Sequence, residues 1–148
     1  KFASKLIQQL SEELRDISDE DVIQERMSHL IEEYPFIQYL YLTDSQGRLF
    51  TWQISYPEDK PKYKNIYIGQ DLSDREWFQV PIQTGKSHIT DFYRSMFTQK
   101  LCLTVSAPVL DSNDEIKAIL GGDVRFEELI KLEGEIEESE VEDEEESG

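Results

Sequence analysis

The sequence predicts an α+β fold, a five-stranded antiparallel sheet with a long helical region before it and a short helix after it. Three observations carry this. Apolar residues recur at helical steps up to Pro35, segments rich in aromatic and branched residues follow it, and turn residues separate those segments at hairpin spacing.

Phe2, Leu6, Leu10, Leu14 and Ile17 recur at steps of three and four, which places them on one stripe of a helix. Ser18-Asp19-Glu20-Asp21 interrupts the pattern as a helix start, with Ser18 as the expected N-cap and acids in the first turn. Val22, Ile23, Met27, Leu30 and Ile31 extend the stripe to Pro35, so two helices or one kinked helix fit. The stripe can pack on the chain's own sheet, on a partner copy or on an adjoining domain.

Phe36 to Thr43 and Arg48 to Ile54 read as two strands joined by the turn Asp44-Ser45-Gln46-Gly47. A polar loop with Pro57 and Pro61 follows. Ser73-Asp74-Arg75-Glu76 has capping-box spacing and opens a short helix through about Ile82. Ser87 to Phe92 is a short strand, and Leu101 to Leu110 and Ile116 to Val124 form a hairpin around Asp111-Ser112-Asn113-Asp114. Phe126 to Leu132 is the closing helix. In the strand from Leu101, Leu103, Val105, Ala107 and Val109 share its face and read as core. Cys102, Thr104, Ser106 and Pro108 share the other, a small, semi-polar surface suited to a cavity wall or to solvent.

The charge of −17 is unevenly placed. Positions 133–148 hold ten acids and no base, which leaves 22 acids against 15 bases in residues 1–132. The folded body is mildly acidic, and the tail has too little apolar surface to fold. A nucleic-acid surface needs clustered Lys and Arg, and an anionic lipid surface does too. No stretch reaches the roughly 18–20 apolar residues of a membrane span. The division expected is a helical segment 1–34 for dimerisation or connection, a body 35–132, and an acidic tail 133–148.

Catalytic patterns are weak. Cys102 is the one cysteine, set mid-strand among small residues, with His29 on the polar side of a helix and His88 at a strand start. A structural thiol is the expectation, because nothing there lowers its pKa. No metal-binding or phosphate-cradling motif occurs, and the Glu-rich tail lacks the spaced ligands of a calcium loop. Gly121-Gly122 reads as close backbone approach. No enzyme activity, cofactor or metal is therefore expected.

The more informative constellation is Arg75, Trp77, Phe78, Tyr93 and Asp123. A guanidinium can hold a carboxylate in bidentate fashion, an indole can wall a site, and an aspartate opposite would suit an ammonium. Arg75 and Trp77 lie about 200° apart on a helix, so both reach one ligand only where that turn is irregular or the ligand inserts at its start. The competing reading pairs Arg75 with a neighbouring surface acid and buries Trp77 in the core.

The runs YLYLTDSQGRLF (39–50), GQDLSDREWF (69–78) and the block 90–129 resemble, in order and spacing, the first hairpin, pocket helix and last three strands of the Cache family. That family, also called PDC sensors, has a PAS-like fold. The resemblance covers about residues 30–132. It implies a non-catalytic signal-transduction module that binds a small carboxylate-bearing metabolite, an amino acid or a short organic acid. In amino-acid-binding members the pocket-helix arginine and aromatic hold the carboxylate, and a tyrosine and an aspartate hold the ammonium. Those roles fall on Arg75, Trp77, Tyr93 and Asp123. Ser95 stands where such members have a second aspartate, and Phe78 where they often have tyrosine. A simple carboxylate or an empty pocket is thus an open alternative, as is an interaction module with a vestigial pocket. The expected partners are the ligand, a second copy bound through the N-terminal helix, and a signalling domain or partner protein, with no nucleic acid. The run Cys102 to Ser106 and the Phe-Glu-Glu-Leu ending are similar to cytoplasmic Cache-like modules, the alternative being an extracytoplasmic receptor domain.

Overall fold

The computed structural model describes residues 2–51, 54–55, 66–91, 93–94, 101–128 and 130–131. The expected loop with Pro57 and Pro61, Ser95 and the acidic tail lie outside the described residues.

Two helices come first, α1 (Phe2–Leu14) and α2 (Glu20–Glu33). Their apolar stripes pack on the chain's own sheet. Ala3, Leu6, Ile7, Leu10 and Leu14 from α1, with Ile23, Met27 and Ile31 from α2, share a core with Leu40, Leu42, Leu103, Val105, Leu120 and Val124. The cap between the helices differs from expectation. Asp19, not Ser18, is the N-cap, and its carboxylate accepts from the N–H groups of Asp21 and Val22 at 2.9 and 3.4 Å. A carboxylate there also offsets the helix dipole, which a hydroxyl does not.

The sheet is built from β1 (Ile37–Asp44), β2 (Ile54–Ser55), β3 (His88–Ile89), β4 (Tyr93–Arg94), β5 (Leu101–Leu110) and β6 (Ile116–Arg125). It runs antiparallel in the order β2-β1-β6-β5-β3, with β4 also on β5. Five positions across are therefore filled as expected, but two strands are reduced. Among its described residues, the expected strand Arg48–Ile54 makes isolated bridges, Thr43 to Leu49 and Arg48 to Asp71, before β2. The strand expected at 87–92 is split into β3 and β4 along one edge of β5. At the split the Thr90 hydroxyl accepts the Thr104 N–H at 2.9 Å, so a side chain replaces a ladder carbonyl. The β5–β6 turn falls where expected, with Asp111 accepting from Asn113 and Glu115 N–H groups. After β6, residues 126–128 and 130–131 are helical.

The second face of the sheet carries α3 (Glu76–Thr84), closed by Gly85 at φ +72°. The capping box is absent. Ser73 gives its N–H to Asp71 at 2.9 Å, and helix geometry begins only after Arg75, whose side chain caps nothing. The hydroxyl and N–H of Ser73 hold the exposed Asp71 carboxyl below its usual pKa, with help from Arg48.

Gly121 and Gly122 set both layers, because neighbouring strand residues face opposite sides. A Cβ at Gly121 would lie 2.9 Å from Trp77 Cε3, and one at Gly122 would lie 3.1 Å from Ile7 Cδ1. Trp77 of α3 and Ile7 of α1 thus rest on bare backbone from opposite sides.

Two stability measurements check this. Gly121→Ala should cost about 1–3 kcal/mol in a urea titration through overpacking against Trp77. Asp19→Ala should cost about 1 kcal/mol, with Ser18→Ala close to the parent.

Candidate functional site

Residues paired across strands share a face, so the register defines the inner floor beneath α3. One row reads Ser55, Tyr39, Asp123, Thr104 across β2, β1, β6 and β5. The next reads Tyr41, Gly121, Ser106, His88 across β1, β6, β5 and β3. The semi-polar face of β5 is therefore a wall beneath α3 and not a solvated surface, with Cys102, Thr104 and Ser106 each at most 2% exposed.

Asp123 is at the centre of the first row and is 7% exposed. Its Oδ1 accepts from the Thr104 hydroxyl at 2.9 Å and from the Tyr93 hydroxyl at 3.1 Å, and its Oδ2 accepts from Tyr41 at 2.8 Å. The Tyr93 and Thr104 oxygens are themselves 2.8 Å apart. Three hydroxyls from β1, β4 and β5 thus converge on one carboxylate at the end of β6. Such charge-assisted bonds are what makes a buried carboxylate tolerable.

An aromatic wall adjoins it. Tyr41 stacks on Trp77 with ring centres 5.1 Å apart, and Tyr39 meets Tyr41 at 4.5 Å. These rings join Phe78, Leu49, Leu72 and Ile119 in a second core distinct from that under α1 and α2. Burial first, and then the negative charge of Asp123, push the Tyr39 and Tyr93 hydroxyls above the ordinary tyrosine pKa.

The structure brings most of the expected residues together. Trp77, Phe78, Tyr93 and Asp123 belong to this floor and its cover. Arg75 precedes α3, its side chain 55% exposed and its Nε 3.8 Å from Asp74. The contacts described for Asp123 do not include it. Ser95 lies outside the described residues. Sequence reasoning missed Tyr39, Tyr41 and Thr104 as site residues. Thr104 was legible as part of a polar face, but only the β1–β6 register turns Tyr39 and Tyr41 toward Asp123. Cys102 donates to Gln38 Oε1 at 3.1 Å, as a structural thiol would. His88 bonds Glu76 of α3 at 2.7 Å and ties the helix to the sheet edge. A hollow of about 230 Å³ lies between α1 and α2, lined in part by Glu13, Arg26, His29 and Glu33, with Arg26 3.8 Å from Glu13.

Residues 1–145 match the Cache domain family. The curated protein named citrate (Re)-synthase from Syntrophus aciditrophicus (strain SB) is 50% identical over 105 residues, 71% of this chain and 17% of that protein. Among solved structures, the ligand-binding domain of the Pseudomonas aeruginosa amino acid chemoreceptor PctC, in complex with GABA, superposes with TM-score 0.66 at 19% identity. The match covers 86% of this chain and 54% of that one. The sensory domain of the Campylobacter jejuni chemoreceptor Tlp3, with isoleucine bound, gives TM-score 0.67 at 14% identity, covering 86% and 52%. The chain thus spans about half of these receptor domains and a small part of the curated relative.

The tyrosine environment has a pH signature. Folded values raised above the unfolded one add stability that is fully present below about pH 10 and lost as pH rises through the folded values. Native tyrosinate absorbance should rise in two stages, with Tyr39→Phe and Tyr93→Phe each shrinking the late stage. A single stage near the ordinary value would contradict the buried cluster.

Proposed function

The chain belongs to the Cache domain family, and from that premise we propose that it is a non-catalytic sensory module for a small amino acid or related amine-bearing carboxylate. Asp123 carries this reading. A buried carboxylate among hydroxyls and aromatic faces attracts an ammonium group and repels a ligand that is only an anion. That favours a zwitterion over acetate, lactate or pyruvate.

Arg75 is the proposed carboxylate clamp. Its present partner Asp74 is 3.8 Å away and both side chains are exposed. Such pairs are worth about 0–1 kcal/mol, so little opposes the guanidinium turning to a ligand. Trp77 and Phe78 would form the wall, Tyr93 would assist at the ammonium, and Ser95 would stand where a second acid is missing. A ligand that contacts both α3 and β6 can shift α3 only by its difference in affinity between two arrangements.

The division into a helical segment 1–34, a sensor body 35–132 and a tail 133–148 is kept as the functional division, with homodimerisation or a signalling partner through the first segment. Two settings are proposed. The chemoreceptor matches fit an extracytoplasmic receptor domain. The 50% identical relative bears an enzyme's name and is far longer than this chain. The second, cytoplasmic setting is the one in which the module accompanies a metabolic enzyme and its ligand tunes that enzyme.

A thermal-shift screen of amino acids beside their deaminated analogues tests the reading. An amine-bearing compound should raise the melting temperature, by mass action, where its analogue does not. Asp123→Asn should weaken the hit by about tenfold to a hundredfold in calorimetry while the protein stays folded, and Arg75→Ala should abolish its binding. Unchanged affinity in Asp123→Asn would refute the assignment.

A further inference from the structure

The start of α3 and the middle of α1 stand back to back across the sheet, each held at two points. At the centre, Trp77 rests on Gly121, and Ile7 rests on Gly122, the next residue of β6. At the edge, Glu76 bonds the His88 ring at 2.7 Å, and the Gln8 amide donates to the Ser87 hydroxyl at 2.7 Å. Two neighbouring residues of α3, Glu76 and Trp77, are thus matched through neighbouring residues of the sheet to two of α1, Ile7 and Gln8. Only β5 separates β6 from β3, so the two points lie two strand spacings apart, roughly 10 Å. One point fixes where a helix sits, and a second fixes how it is tilted. The edge point is the adjustable one. Its contacts are single hydrogen bonds at a two-residue strand, whereas the centre is close-packed on bare backbone.

We infer that Ser87 and His88 are positioning residues that join the start of α3 to α1, so that a displacement of α3 is passed to the N-terminal helix around the sheet edge. Glu76 stands between Arg75 and Trp77, the proposed clamp and wall, and the Arg75 side chain caps nothing. A ligand that draws Arg75 and Trp77 toward the floor carries Glu76 with them, and the bond to His88 draws the start of β3 along. Ser87 is covalently joined to His88, and Gln8 follows it. Coupling of this kind travels through contiguous contacts, and here each one is a named bond. With Ile7 held on Gly122, a pull at Gln8 turns α1 about that contact and does not slide it. The use of this linkage in sensing rests on the reading of Asp123 given above, but the linkage itself needs no ligand.

The test is backbone hydrogen exchange on the ligand-free chain, read over α1 at residues 6–10 and over α3. Glu76→Ala should speed exchange in both, by about threefold in α1, the effect of losing one hydrogen bond of modest worth. In a Ser87→Ala background the same substitution should still loosen α3 and leave α1 at the rate of Ser87→Ala alone. Such non-additivity marks two coupled sites. Glu76→Gln should restore the parent rates, because an amide can answer the imidazole as donor or acceptor. The linkage is overturned if Glu76→Ala leaves α1 at the parent's rate, or if Glu76→Gln fails to restore it. It is equally overturned if Glu76→Ala speeds α1 as much with Ser87→Ala present, the sign of a general loss of stability. No ligand enters these measurements, so loss of the linkage leaves the ammonium site standing, and failure of the amine-bearing compounds leaves the linkage standing.

Discussion

Three consecutive residues of the central strand, Gly121, Gly122 and Asp123, govern where the rest of the molecule can sit. Two bare backbone positions facing opposite sides let Trp77 and Ile7 approach the sheet to van der Waals limits. The third places a carboxylate that accepts from Tyr41, on which the admitted ring stacks. Any side chain at Gly121 would lift α3 away from the floor, and with it the indole stacked on Tyr41. The height of the cover over Asp123 is thus a consequence of an absent methyl group.

The two sides of the sheet solve different problems. Under α1 and α2 the packing is mostly aliphatic, the usual source of domain stability. Under α3 it is aromatic and hydroxyl-rich, with an ionisable group at its centre. A buried carboxylate is costly to house, and replacing such groups with apolar residues commonly stabilises a protein. The cost is offset here by hydroxyls from three strands that are distant in sequence. Their arrangement resembles a binding floor more than a stability device. The helix α3, tied to the edge by the bond between His88 and Glu76, is the element that a ligand on that floor would press against.

Local signals succeeded where one physical effect dominated. The two-residue alternation of β5 predicted its core face, and the Asp111–Asp114 turn and the helical stripe to Pro35 fell where expected. They failed where neighbours competed for one donor. Ser18 was the expected cap, but the adjacent Asp19 offers a charged acceptor to the Asp21 N–H that Ser18 would also have taken. Ser73 had capping-box spacing, but Asp71 takes its N–H first, and the helix starts later. The strand expected at 87–92 broke where the Thr90 hydroxyl entered the ladder.

From the chain alone came the α+β class, the grouping of Trp77, Phe78, Tyr93 and Asp123 as candidates, and the use of Gly121-Gly122 for close approach. These depend on side-chain type and short-range periodicity, which a sequence carries explicitly. Tertiary structure decided that Tyr39, Tyr41, Thr104 and Ser55 join Asp123 on one floor, and that Arg75 stands at the rim beside Asp74. Those facts depend on the register between strands up to about eighty residues apart in the chain, where a shift of one position would turn every one of these side chains to the opposite face.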